Sequence, residues 1–114
     1  MQRGDIILVK LPDNNESGHE QTGKRPALVV HNDATSGSIS LIMIVPITSN
    51  LKTKKFSHTI VVEPSPENGL DTSSVLLIFQ LRAIDKTRVI KKIGVLESST
   101  MEKINKEMRS LLGL

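Results

Sequence analysis

Short apolar runs, each ended by turn-forming residues, are the feature that most limits what this chain can fold into. They cover residues 6–9, 27–31, 39–48, 58–63, 74–79 continuing toward Ile84, and 93–96. They are rich in Val and Ile, and these β-branched residues favour strands. No helix-like segment separates consecutive runs, so the chain lacks the crossover helices that parallel strands need. The pattern therefore predicts a mainly β protein, a small barrel or sandwich of five or six short strands.

Pro46 lies near the end of the third run. Because proline has no N–H to donate to a neighbouring strand, it is normally confined to edge strands and bulges. We therefore expect run 39–48 to be an edge strand, or to carry a bulge at Pro46.

The C-terminal segment changes its hydrophobic period from that of a strand to that of a helix. Its apolar residues recur at helical spacing: Met101, Ile104, Met108, Leu111 and Leu112. Ser99 and Glu102 have the spacing of a capping box, and Gly113 is placed to stop the helix. We expect one helix that packs on the barrel and closes the core with its apolar stripe.

The chain has 114 residues, close to the commonest domain size, and is predicted to be a single domain spanning residues 1–114. It contains no cysteine, which excludes a disulfide frame, a zinc–thiolate cluster and a thiol nucleophile. Its three histidines are scattered, so we expect neither a metal site nor a bound cofactor. No apolar run approaches the roughly 20 residues that span a bilayer. These features predict a cytoplasmic protein without a membrane segment.

The charge balance favours a polyanionic partner. Fifteen Lys and Arg against twelve Asp and Glu give a formal net charge of +3 and a pI near 9.4, an excess that modestly favours nucleic acid. The chain has only two aromatic residues, Phe56 and Phe79, so a broad base-stacking platform is not expected. Nucleic-acid contacts would then rely on charge and hydrogen bonds.

Residues 18–24 have the glycine and lysine spacing of a phosphate-binding loop, GHEQTGK. A true loop of this kind needs Ser or Thr after the Lys and a helix that opens there. Here Arg25 and Pro26 follow, and Pro26 both removes a backbone donor and holds Arg25 out of the helical region. The segment therefore predicts a charged loop that leads into a strand, and another function must explain it.

Several segments taken together resemble the MazF/PemK/Kid family of toxins from toxin–antitoxin pairs. They are RGDIILVKL (3–11), GHEQTGKRPALVV (18–30), VPITSN (45–50), GLDTSSVLLIFQLRAIDKTRV (69–89) and KIGVL (92–96). The resemblance implies a small twisted β-barrel, Src-homology-3-like and of the CcdB/MazF type, with a C-terminal helix. It also implies a homodimeric, metal-independent and sequence-specific endoribonuclease that cleaves single-stranded RNA such as mRNA and so inhibits translation. Its expected partner is a cognate antitoxin with a disordered, acidic tail.

The resemblance assigns the catalytic roles to Arg25 and Thr48. Metal-free RNA cleavage uses the 2′-hydroxyl as nucleophile and leaves a 2′,3′-cyclic phosphate and a 5′-hydroxyl, so it needs a cation at the phosphorane oxygens and groups that move protons. The planar guanidinium of Arg25 matches phosphate oxygens, whereas without the resemblance it reads as a surface ion-pair residue. The Thr48 hydroxyl can donate to a phosphate oxygen, and otherwise Thr48 is a β-favouring residue at a strand end.

Six further residues are expected to bind the substrate: His19, Glu20, Gln21, Lys24, Ser74 and Gln80. Of these, Glu20 matches an acidic position of the family, and Ser74 and Gln80 match polar positions. The general base stays open because arginine remains protonated in proteins. Glu20 is expected to orient Arg25 or bind RNA and is also a candidate base, while the imidazole of His19 has a pKa range suited to proton transfer.

The sequence departs from the family in its long first loop, residues 13–23, and in Phe79, where an acidic residue is common. Both departures leave the cut-site sequence open, since loop side chains read splayed RNA bases. Two other functions also stay open. One is a non-catalytic barrel that holds nucleic acid or protein, and the other is a CcdB-like toxin that acts on DNA gyrase.

Overall fold

A computed structural model describes residues 1–12, 23–32 and 40–114. In this part of the chain, strands and a single α-helix follow one another as β1 (Asp5–Leu11), β2 (Gly23–Val29), β3 (Leu41–Thr48), β4 (Thr59–Val62), β5 (Ser74–Leu77), β6 (Arg82–Asp85), β7 (Val89–Val95) and α1 (Ser98–Leu112). Short 3₁₀ helices occupy Leu51–Lys55, Ile78–Gln80 and Lys86–Arg88. The expected mainly β class with one C-terminal helix is confirmed.

All strand pairs are antiparallel and form one sheet in the order β4-β5-β3-β2-β1-β7, with β6 also beside β3. Strand β3 divides one of its edges between two partners. Its first half, Leu41–Ile44, pairs with β6, and its last two residues, Ile47 and Thr48, pair with β5. The sheet therefore changes partner along β3, close to the end of the strand that carries Thr48.

The expectation that Pro46 marks an edge strand is wrong, because β3 is flanked on both sides. Pro46 pairs with Ala27 of β2 on one side. On the other side it falls in the gap between the residues that pair with β6 and those that pair with β5. A missing N–H costs least at such a gap, and this explains how a central strand accepts a proline.

Two predicted strand boundaries also differ from the structure. The run expected to continue toward Ile84 is broken by the 3₁₀ helix Ile78–Gln80, because β5 and β6 pair with different halves of β3. The last strand begins at Val89 rather than at residue 93. Its early residues include the exposed Lys91 and Lys92, and these two consecutive charged residues interrupt the apolar run by which a strand is predicted from the sequence.

The core lies on both faces of the sheet, as the alternation of buried residues along the strands requires. One cluster contains Ile6, Leu28, Val45, Ile47 and Leu76 together with Ile104 of the helix. The other contains Ile7, Val9, Ala27, Val29, Ile42 and Ile44. Helix α1 therefore covers only the first face.

The helix matches its predicted apolar stripe only in part. Ile104 is fully buried, but Leu112 is 55% exposed. The predicted capping box is wrong: the helix begins at Ser98, so Glu97 occupies the N-cap, where its side chain makes no capping hydrogen bond. Gly113 ends the helix with a φ of 72°, as expected of a left-handed cap.

No helix in the described part of the chain has the length and apolar character needed to cross a membrane.

Candidate functional site

A cleft of about 460 Å³ opens where the start of β2, the end of β3 and the middle of β7 face the loop of residues 69–72. Its floor is apolar and includes Leu8, Pro26 and Ile47. Three cationic side chains line the cleft, those of Lys24, Arg25 and Lys91. Among the described lining residues, Asp71 is the single carboxylate. Three cations against one anion give a cleft that attracts negatively charged ligands.

Strand β2 carries two of these cations into the cleft. It begins at Gly23, whose φ of +76° is readily adopted only by glycine, and it continues through Pro26 without a helical turn. Arg25 pairs with Val9 of β1 and is half-buried, whereas Lys24 is exposed. Residues 23–29 thus form a strand, whereas a phosphate-binding loop would need a helix after Lys24.

Thr48 ends β3 at the same end of the sheet. Its neighbours Ile47 and Ser49 both line the cleft, while Thr48 itself is 4% exposed. The Thr48 Oγ1 accepts a hydrogen bond from the Asn50 N–H at 3.1 Å, which leaves its own proton available to another acceptor. The β2–β3 register pairs Ala27 with Pro46, so Arg25 and Thr48 are the corresponding positions two residues further along.

The opposite wall of the cleft is fixed by the buried side chain of Asn68. Its Oδ1 accepts from the N–H groups of Ser65 and Leu70, both at 3.0 Å. Its Nδ2 donates to the Glu63 carbonyl at 2.9 Å and to Glu97 Oε1 at 3.2 Å. One asparagine thus satisfies four hydrogen bonds across the turn that leads into residues 69–72.

Glycines let this turn lie directly on β7. A Cβ on Gly94 would be 2.3 Å from the Asn68 backbone, and one on Gly69 would be 2.0 Å from the Ile93 carbonyl oxygen. Glu97 holds the same turn, because Ser65 Oγ donates to its carboxylate. That hydrogen bond is the largest of the effects that lower the pKa of Glu97. The wall is therefore built from backbone contact and saturated hydrogen bonds.

A second groove, of about 570 Å³, includes Asn50 in its lining and shares no lining residue with the cleft. It is lined by Asn50, Lys52, Thr53, Lys55, Phe56, Phe79 and Gln80. The rings of Phe56 and Phe79 meet edge to face with centroids 5.7 Å apart, and the Lys55 Nζ lies 5.5 Å from the Phe56 centroid. The only two aromatic residues of the sequence therefore come together in one exposed groove.

Comparison with known proteins identifies the family to which this architecture belongs. The sequence pattern of PemK-like, MazF-like toxins of type II toxin–antitoxin systems matches residues 2–112. The chain belongs to this toxin family. It is 32% identical over 114 residues to Endoribonuclease MazF of Staphylococcus saprophyticus, a match that covers 100% of this chain and 92% of that protein.

Solved structures agree with the family assignment and with the predicted barrel. MazF from Deinococcus radiodurans (Form-I) has a TM-score of 0.79 and 26% identity to this toxin, over 100% of this chain and 97% of that one. A MazE–MazF structure from the same organism (Form-II) has a TM-score of 0.75 and 26% identity, over 100% and 96%. The resemblance inferred from the sequence segments is thereby confirmed.

The structure of this MazF-like toxin brings some predicted site residues together and separates others. Lys24, Arg25 and Ser74 line the cleft, and Gln80 lies in the second groove. Ser74 is 4% exposed, and its Oγ donates to the Thr72 carbonyl at 2.8 Å. The predicted residues His19, Glu20 and Gln21 lie outside the described residues.

Asp71, Lys91 and Asn68 are elements of the site that no sequence pattern predicts. Lys91 and Lys92 are neighbours in the sequence, but the strand register gives them different surroundings. Lys91 pairs with Leu8 in the cleft, whereas Lys92 forms an ion pair with Asp5 at 3.2 Å. Irregularities in the β1–β7 register precede and follow this pair of residues, so the alternation could not be extended from the sequence alone.

Proposed function

We propose that this protein is the endoribonuclease toxin of a toxin–antitoxin system and cleaves single-stranded RNA, including mRNA, at specific sequences. The observation that supports this most strongly is the cationic cleft at the end of β3, where Arg25 and the Thr48 segment meet. It lies in a chain that matches the toxin family over residues 2–112. Cleavage of mRNA would inhibit translation and arrest growth.

The proposed reaction is attack by the 2′-hydroxyl on the adjacent phosphorus. The O2′–P bond forms as the bond from phosphorus to the 5′-oxygen breaks. The 2′-hydroxyl gives its proton to the general base and the leaving 5′-oxygen gains one, which yields a 2′,3′-cyclic phosphate and a 5′-hydroxyl. Arg25 faces the negative charge that develops on the non-bridging oxygens, where a fixed cation stabilises the transition state most. The hydroxyl of Thr48 donates to the same phosphate or passes a proton toward the leaving oxygen.

The substrate is held by different chemistry in the two grooves. In the cleft, Lys24 binds phosphate, and Ser74 contributes its hydroxyl oxygen as an acceptor because its proton is engaged by Thr72. In the second groove, Gln80 offers its amide to a base edge beside the Phe56 and Phe79 rings. We also assign substrate binding to His19, Glu20 and Gln21, which precede β2 in the sequence, and both Glu20 and His19 stay candidates for the general base.

Catalysis is proposed to be independent of metal ions. Within residues 1–12, 23–32 and 40–114, no three His, Cys, Asp or Glu side chains are grouped so as to hold a metal ion. The internal 2′-hydroxyl nucleophile also removes the need for a metal-activated water. The proposal is tested by incubating the protein with long single-stranded RNA in EDTA and mapping the fragment ends.

Discrete fragments with 5′-hydroxyl ends are the expected result of that incubation. Cleavage that EDTA abolishes would overturn the mechanism. RNA that is bound but stays intact would instead favour a non-catalytic barrel.

We further propose that the toxin acts in the cytoplasm as a homodimer and is neutralised by an antitoxin with an acidic, disordered tail. The cationic cleft supports this partner, since a groove that binds phosphates attracts carboxylates by the same electrostatics. A dimer in sedimentation at micromolar concentration is expected. Antitoxin binding should weaken as the salt concentration rises, and binding that ignores ionic strength would contradict the proposed contact.

A further inference from the structure

The turn between the 3₁₀ helix Leu51–Lys55 and β4 contains His58, which has an unusual backbone conformation. Its φ is +59°, and among the described residues it is the single non-glycine residue with a positive φ. Most side chains disfavour this left-handed region, whereas glycine adopts it freely. An imidazole at a position that suits glycine is expected to make a contact of its own.

The imidazole makes that contact with helix α1. Nδ1 of His58 lies 3.0 Å from Oε2 of Glu107, and because an ionised carboxylate only accepts hydrogen bonds, Nδ1 is the donor. The side chains are 25% and 39% exposed, so water screens this pair less than it screens a fully exposed one. Glu107 is firmly held, because Ile104, one helical turn earlier, is fully buried in the core. The turn at His58 is thereby tied to the core through α1.

The same turn fixes the backbone of both aromatic residues of the second groove. The Phe79 N–H donates to the His58 carbonyl at 3.3 Å. The hydroxyl of Thr59, the next residue, donates to the Phe56 carbonyl at 2.9 Å. The rings of Phe56 and Phe79 line the groove and meet edge to face. A displacement of residues 58 and 59 would therefore move both rings.

We propose that His58 is a positioning residue for the second groove and that, through Glu107, it holds the rings of Phe56 and Phe79 ready to receive an RNA base. This inference rests on the proposed ribonuclease function and deepens it. Neither His58 nor Glu107 lines the groove, so both act through the rings. A preformed site binds more tightly, because the rings lose less freedom on binding. His58 should therefore affect how RNA binds and where it is cut, and not the rate of the chemical step.

Glu107→Ala removes the acceptor of the imidazole from outside the groove. It should raise the KM for RNA by about fivefold, the upper range for a partly exposed ion pair, and relax the cut-site preference in mapped fragments. The kcat should hardly change, because Arg25, the proposed cation at the phosphorane, lies in the cleft. Glu102→Ala is the matched control, because Glu102 is exposed on the same helix and lines neither groove.

Two substitutions at His58 separate its imidazole from its backbone conformation. Glycine adopts a positive φ freely, so His58→Gly removes the imidazole and keeps the turn. Its KM should rise as in Glu107→Ala, by about fivefold. His58→Ala removes the imidazole and also disfavours the turn, so its melting temperature should be lower than that of His58→Gly. A parental KM for His58→Gly would contradict the proposal.

A double-mutant cycle tests whether the pair acts through the rings. Phe79→Ala removes one ring, so Glu107→Ala should raise the KM no further when the two changes are combined. If the two increases multiply instead, Glu107 affects RNA binding independently of Phe79, and the proposal is wrong.

The rings can also be followed without RNA. The sequence has only two phenylalanines, so protein with isotope-labelled phenylalanine gives two sets of ring signals in NMR spectra. Glu107→Ala should shift both sets, and Glu102→Ala should shift neither.

The results separate this inference from the function on which it rests. If the parent protein cleaves RNA but Glu107→Ala keeps the parental ring signals and KM, His58 has no positioning role and the ribonuclease stands. If the parent does not cleave RNA, the proposed function fails, whereas the ring signals still decide whether Glu107 positions the rings. A lower melting temperature with an unchanged KM would show that the His58–Glu107 pair supports only the fold.

Discussion

The cleft, which is lined by Ile47 and Ser49, and the second groove, which is lined by Asn50, are built from different chemistry. The cleft of Arg25 has cations above an apolar floor and a wall held by the buried Asn68. The second groove also has two cations, Lys52 and Lys55, but its distinguishing feature is the pair of rings of Phe56 and Phe79. Fixed charge suits the phosphate backbone, which every RNA sequence shares, whereas aromatic rings suit unstacked bases. Under the proposed function, we therefore expect the cleft to bind and cleave the backbone and the second groove to contribute to the choice of sequence.

The grooves also differ in how they are attached to the fold. The cleft wall lies on β7 at distances that exclude a Cβ at Gly69 and Gly94. The second groove borders the 3₁₀ helix Leu51–Lys55, which buries no residue, and Phe56 is 48% exposed. Substitutions in the second groove should therefore change RNA binding with little loss of stability.

The largest expected effect is that of Arg25→Ala, which removes the proposed charge at the phosphorane. Cleavage should fall by about 10³, the upper range for a lost transition-state contact, while RNA affinity falls much less. Arg25→Lys keeps the charge but loses the planar fork, and should recover only part of the rate. Single-turnover rates and Kd values check this. Equal losses of rate and affinity would make Arg25 a binding residue only.

Thr48→Val should reduce cleavage by roughly 10², because it removes the hydroxyl and keeps the shape of the strand residue. The variant also loses the acceptor of the Asn50 N–H, so the free energy of unfolding should fall by about 1 kcal/mol. Thr48→Ser retains the hydroxyl and should retain much of the rate. Fast cleavage by the Val variant would make Thr48 a purely structural residue.

Phe79→Ala should change RNA binding in the second groove. Loss of one stacking ring is expected to raise the KM for RNA by about tenfold and to relax the cut-site preference, with no change in the salt slope. Leu112→Ala is the control, because it truncates an apolar side chain that is 55% exposed on α1. A changed salt slope for Phe79→Ala would contradict the division between charge and stacking.

The smallest effect concerns acid stability of the cleft wall. The pKa of Glu97 is lowered chiefly by its hydrogen bond from Ser65, so its carboxylate stabilises the folded state. This stability is fully present above the ordinary pKa of about 4.5 and is lost as the pH falls through the lowered value. Glu97→Gln should reduce the acid dependence seen in urea unfolding. An unchanged pH profile would show that Glu97 does not anchor the wall.

Much of this architecture could be predicted from the sequence because local patterns determine it. Short apolar runs ended by turn-forming residues predict most of the strands, and Pro26 excludes a helix after Lys24. The partner switch along β3, which accommodates Pro46, depends on pairings distant in sequence. Likewise, only the strand register, which pairs Lys91 with Leu8, places Lys91 in the cleft. Sequence spacing alone therefore could not separate the cleft from the aromatic groove.

We propose that the Arg25 cleft cleaves RNA through the substrate's own 2′-hydroxyl. The most direct measurement compares two oligonucleotides in EDTA, identical except for a single 2′-deoxy nucleotide on the 5′ side of the mapped cut. We predict that the all-ribose strand is cut to 2′,3′-cyclic phosphate and 5′-hydroxyl ends, and that the deoxy strand binds equally well and stays intact. Cleavage of the deoxy strand at the same bond would contradict the proposal that the 2′-hydroxyl is the nucleophile.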